Sequence, residues 1–237
     1  MTEEESKQAL TTNGLVMPDE FPVSAYQAVH AIVRKHNQAN PTMYEQWSGA
    51  WNAMSYRYLA VTEYSASFTQ SVVDRTGTAS AEGRHRQERD LFGFFGSAVS
   101  ALEATFYGLY AIGGFLAPAR FSLATAEDQR NVSPSTTRAA FARAFGGDPM
   151  VGAMDSVTSD SAYRELREIR NILTHRSAPG RMFFLQVGIS DAVPVPDEWK
   201  MLGIRMEKDM TGTRQRDLAR LLAVLLEGGR TFVEARM

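Results

Sequence analysis

The chain has 237 residues, 44% of them hydrophobic and 22% charged, a composition that supports a folded core and is not that of a disordered chain. Its formal net charge of -2 and pI near 6.1 give no global attraction to nucleic acid, so any surface of that kind must be a local patch. Cysteine is absent, which excludes disulfides, thiolate zinc and cysteine nucleophiles and fits a reducing cytoplasm.

The first residues, Thr2-Glu3-Glu4-Glu5, are acidic rather than a basic run leading into an apolar one, so no secretory signal is expected and residues 1–18 read as a flexible N-terminus. A first helix is expected over 22–40, capped by Ser24, with Ala25, Val29, Ile32 and Val33 as its apolar stripe. A long amphipathic helix follows over 43–73, where Trp47, Trp51, Met54, Tyr58, Val61 and Tyr64 recur at steps of three and four. That spacing assigns the tryptophans to the core rather than to a base-stacking platform. His30 and His36 fall at the surface or boundary of the first helix.

The third helix is expected over 83–116. It opens on a basic cluster, Arg84, His85, Arg86 and Arg89, and continues into a stretch from Leu91 to Ala117 whose single charge is Glu103. This stretch is long enough to span a bilayer. Glu103 near the membrane midplane and the abundance of Gly, Ala and Ser favour instead a buried helix in close contact with its neighbours.

Residues 122–133 read as a short helix and a turn, and 135–145 as a helix stopped by Gly146-Gly147. Residues 148–160 read as a connection with a helical turn at 150–154. A helix over 161–176 is capped by Ser159 or Ser161. Residues 182–187 and 201–206 are the strand-like runs and are expected to pair as a hairpin. A last helix over 213–235 carries Leu218, Leu221, Leu222, Leu225 and Phe232. The expected fold is all-α: a bundle of about six helices forming one domain over 19–237, with a small β-hairpin addition within 181–208.

The helix over 161–176 holds the sequence Arg170-Asn171-Ile172-Leu173-Thr174-His175. At roughly 100° per residue, Leu166, Ile169 and Leu173 share one arc with Tyr163 at its edge, and this arc faces the core. Arg164, Glu168, Asn171 and His175 share a polar arc, with Arg170 at the border between the two. Imidazole is the side chain whose ordinary pKa suits proton transfer near neutrality. A fixed guanidinium stabilises charge that builds on phosphorane oxygens. Together they suit cleavage of RNA by its own 2′-hydroxyl, with Asn171 orienting imidazole or phosphate and no metal or other cofactor required. The bland alternative is a helix end where His175 and Arg176 cap exposed carbonyls.

This Arg-Asn-x-x-x-His pattern resembles the motif of the HEPN superfamily, whose nuclease members carry Arg, often a polar residue next, and His a few residues on. The resemblance rests mainly on that motif, and the family's helical bundle agrees with the expected fold. It implies a metal-independent endoribonuclease with Arg170, Asn171 and His175 as catalytic residues. It also implies a cytoplasmic homodimer with RNA as substrate, no membrane, and an antitoxin or other defence protein as partner in a toxin–antitoxin or phage-defence system. Family members often keep a further polar residue on an earlier helix, and Glu103 fills that place as a buried partner of Arg170, either as catalytic helper or as salt-bridge partner. Arg84, Arg86, Arg164, Arg167 and Arg176 are the candidate RNA-phosphate contacts. The competing expectation is a non-catalytic HEPN-like interaction or RNA-binding module.

Overall fold

In the computed structural model, residues 14–74, 80–175, 179–183 and 196–237 are described. The fold is all-α with a small antiparallel sheet near the C-terminus, and the described residues form eight α-helices. α1 covers Val23–Val33 and buries Ala25, Tyr26, Val29 and Val33. It is shorter than expected, because a 3₁₀ turn, Arg34–His36, follows where the apolar stripe runs out. Ser24 lies inside this helix; Pro22 takes the cap position without a side-chain hydrogen bond. Order also begins earlier than Pro18, since Met17 is buried among the core residues.

α2 spans Pro41–Val73 and α3 spans Ala81–Leu116. α2 starts at Pro41 because proline's missing N–H costs nothing in a first turn, and Asn40 Oδ1 accepts from Met43 N at 3.1 Å. Ser80 caps α3 by accepting from Gly83 N at 3.0 Å. The two long helices run antiparallel: Tyr107 meets Gln46, Arg57 meets Ser100, and Ser67 meets Asp90. Their approach is close because glycine faces bulky rings. A Cβ on Gly108 would lie 3.0 Å from the Trp51 ring, and one on Gly93 would run into the Tyr64 ring. The small residues of α3 therefore serve helix packing. By length and composition α3 is apolar enough to cross a membrane, yet 67% of its most apolar window is buried inside the protein, the pattern of a core helix.

α4 (Ala126–Arg130) and α5 (Pro134–Ala144) follow, each started by a capping box. α6 spans Pro149–Ser159, where a connection with one helical turn was expected. Asp148 caps it through Met150 N at 2.8 Å, Pro149 occupies its first turn, and Met150, Met154 and Val157 bury one face. α7 spans Ser161–His175 and α8 spans Met210–Arg236. α8 packs against α1, α3 and α6. Phe232 on α8 meets Phe141 and Phe145 with ring centroids 5.2 and 5.0 Å apart.

The sheet has three two-residue strands, β1 (Arg181–Met182), β2 (Glu198–Trp199) and β3 (Ile204–Arg205), in the order β1-β2-β3. The expected pairing of 182–187 with 201–206 is corrected. β2 lies between them, pairing Trp199 with Arg181 on one side and with Ile204 on the other. Residues 184–187 lie outside the described residues.

Candidate functional site

α7 is held at its start by an aspartate rather than by Ser159 or Ser161. Asp160 Oδ1 accepts from Ala162 N at 2.9 Å, and its other oxygen accepts from Arg220 of α8 at 2.8 Å. The Arg220 hydrogen bond first, and the Ala162 N–H second, hold the Asp160 carboxyl below the usual carboxylate range. One turn on, Glu165 pairs with Arg214 of α8 at 2.6 Å. The helix buries Tyr163, Leu166, Ile169 and Ile172. Ile172 thus takes the core position assigned to Leu173, which is only half-buried, a rotation of the buried arc by one residue.

On the opposite side Arg164, Glu168 and His175 are exposed and Asn171 is half-buried, as the helical drawing places them. Arg170 sits at the seam between α7 and α3. Its Nη2 donates to Glu103 Oε1 at 2.8 Å, while its buried Nε has no hydrogen-bond partner among the described residues. Glu103 is not the buried carboxylate expected. Its side chain is 45% exposed and that of Arg170 23%, so the pair lies open at the surface. The Arg167 guanidinium lies over the Tyr163 ring, 5.4 Å from its centroid. Burial raises the pKa of the Tyr163 hydroxyl; Arg167 opposes this and the Glu103 charge adds to it. The four side chains form one polar cluster along the α3–α7 seam.

The structure does not bring Arg170 and His175 together within one chain. Five residues apart on a helix, they diverge by roughly 140°. His175 ends α7 with no hydrogen bond or ion pair to the described residues. The other candidates scatter. Arg84 lies over the Phe183 ring at 5.3 Å, Arg86 pairs with Glu82, and Arg176 is outside the described residues. Among the described residues no group of three or more His, Asp or Glu side chains is placed to hold a metal ion.

Two features escaped the reading of the sequence. A groove of about 710 Å³ lies between α2, α3 and the start of α5, lined by Gly49, Ala50, Ala53, Arg57, Glu103 and Tyr107 among others. Glu103 therefore joins the Arg170 seam to this groove. The second is a part-buried polar knot between the sheet and α3: Arg181 donates to Glu88 at 2.7 Å and to Gln87 at 2.6 Å, and Trp199 Nε1 donates to Glu88 at 3.2 Å. It fastens β1 and β2 to the start of α3. No protein-family model matches the chain, and comparison with curated proteins and with solved structures gives no match.

Proposed function

We propose that the protein is a HEPN-like, metal-independent endoribonuclease whose site is completed by pairing of two copies. The observation that carries this reading is the Arg170–Glu103 seam. A guanidinium at the phosphate-binding position of the motif is held partly buried by a carboxylate that is itself open to solvent. RNA phosphate competes with Glu103 for the Arg170 fork, and bidentate binding of phosphate by Arg is strong. On the adjoining polar face, the Asn171 and His175 side chains make no hydrogen bond or ion pair among the described residues. Because Arg170 and His175 diverge on one helix, a two-fold pairing that faces one α7 with another supplies the imidazole of one protomer to the guanidinium of its partner. The imidazole then takes the 2′-hydroxyl proton as that oxygen attacks phosphorus, Arg170 stabilises the phosphorane, and the P–O5′ bond breaks to leave a 2′,3′-cyclic phosphate, the 5′-oxygen taking the proton back from the imidazolium. A cytoplasmic toxin or phage-defence role, with an antitoxin or defence partner, belongs to the same proposal.

Purified protein incubated with total RNA in EDTA is expected to cleave it, and His175→Ala is expected to abolish cleavage. Intact RNA, or cleavage unchanged in the variant, removes the catalytic proposal. The divergence of Arg170 from His175 in one chain favours a second reading, a non-catalytic RNA-binding module. Retention of RNA binding by a wild-type protein that leaves RNA whole would select it.

A further inference from the structure

Neither Arg170 nor His175 lines the groove between α2 and α3, so the proposed cleavage chemistry leaves it unused. Its floor includes Gly49, Ala50, Ala53 and Ala104, side chains no larger than a methyl, against which a flat ring can lie. The rim defines what kind of ring. Tyr107 Oη donates to Gln46 Oε1 at 2.7 Å, which leaves the Gln46 amide hydrogens without a partner among the described residues. Glu45 and Glu103 add carboxylates, and Arg57 adds a guanidinium that spends one donor on Ser100 O at 3.1 Å.

This set of groups is selective. The Glu103 and Glu45 carboxylates disfavour a polyanion along the groove and favour hydrogen-bond donors there, with Glu45 twelve residues, roughly 18 Å, along α2 from Arg57. Arg57 favours an anion at one end. A basic peptide would suit the carboxylates but would meet Arg57 as a like charge. An unstacked base next to a phosphodiester suits Glu103 and Arg57 together, being planar and neutral, with donors on its edge and negative charge confined to the backbone. We infer that the groove takes one amino-bearing base of single-stranded RNA (adenine, cytosine or guanine in preference to uracil), with Arg57 on the adjoining phosphate. The inference rests on the RNA reading of the Arg170–Glu103 seam and deepens it. Glu103 lines the groove and also holds Arg170, so the base is seated one side chain from the reacting phosphate's guanidinium.

The test uses the full chain with His175→Ala, which keeps the oligonucleotides whole, and fluorescence anisotropy with fluorescent hexauridylate and with hexamers carrying one A, C or G. The amino-bearing hexamers are expected to bind about tenfold more tightly than hexauridylate. Gly49→Phe is expected to abolish that preference by filling the groove; a Cβ at Gly49 meets nothing within 4 Å, so the helix accepts it. Arg57→Ala is expected to weaken all hexamers alike, as loss of a phosphate contact does. Equal binding of all hexamers, a preference that survives Gly49→Phe, or no binding at all overturns the inference. A base preference in a protein whose wild type does not cleave RNA removes the nuclease reading and leaves the groove standing. Cleavage without base preference removes the groove alone.

Discussion

Among the described residues two arginines from other elements, Arg170 and Arg181, bridge to glutamates of α3, and the two bridges differ in what surrounds them. Arg181 is 5% exposed where it meets Glu88, which is itself 28% exposed, and Asp197 is buried beside it, so the cation and one of its two carboxylates are shut away from solvent. Arg170 meets Glu103 at nearly the same distance, but both side chains retain access to solvent. Equal geometry therefore carries unequal consequences. Removing one partner of a buried pair strands a charge in a low-dielectric place, whereas an open pair gains little over hydration and leaves its groups available to a ligand. The buried arginine holds the small sheet on the bundle; in the proposed function the open pair is where an external phosphate replaces the internal carboxylate.

The largest expected effect follows from breaking the buried side. Arg181→Ala should cost about 3–5 kcal/mol, because Glu88 and Asp197 lose their shared cation. Thermal unfolding should register this as a Tm lower by roughly 10 °C for a chain of this size. A loss of only a degree or two would erase the contrast between the bridges.

A smaller loss is expected at the cap that orients α7. Asp160→Ala should cost about 1 kcal/mol, the usual worth of an N-cap side chain. Asp160 has a folded pKa below its unfolded value, so its charge stabilises the fold above the ordinary carboxylate pKa of about 3.9 and ceases to do so as pH falls through the folded value. Asp160→Asn should therefore lower Tm at neutral pH, and its curve should meet that of the wild type at a pH below that folded value. A gap that persists undiminished at that pH would assign the effect to something other than the charge.

The smallest stability effect belongs to the open bridge. Arg170→Ala should cost no more than about 1 kcal/mol, yet it should abolish RNA cleavage. Arg170→Lys, which keeps the charge and loses the planar fork, should recover the stability and little of the cleavage. Were Arg170→Ala to lower Tm as far as is expected of Arg181→Ala, the seam would be a structural pair and nothing more.

The fold was legible where a periodic apolar stripe is long, as in α2 and α3, and less so where a helix is short and its stripe sparse. α6 has three buried residues, Met150, Met154 and Val157, and its clearest signal was the Asp148-Pro149 start rather than its periodicity. Glu103 and Arg170 were legible as a pair because a lone carboxylate in an apolar helix needs a cation. Its exposure was not, since that depends on how α7 lies along α3. The groove was hidden for the same reason. Gln46 and Arg57 on α2 face Glu103 and Tyr107 on α3 only when the two helices are set antiparallel. Arg181 gave no signal at all, because its partners lie 93 and 94 residues upstream on α3.

The central claim, that one working site draws Arg170 from one protomer and His175 from its partner, is tested most directly by mixing two inactive variants. Arg170→Ala and His175→Ala, each inactive alone, are unfolded and refolded together at equal concentration and assayed on RNA in EDTA. Half of the random dimers are then mixed and each mixed dimer holds one intact site of two, so the account predicts recovery of about a quarter of wild-type cleavage. A mixture as inactive as its components would contradict it.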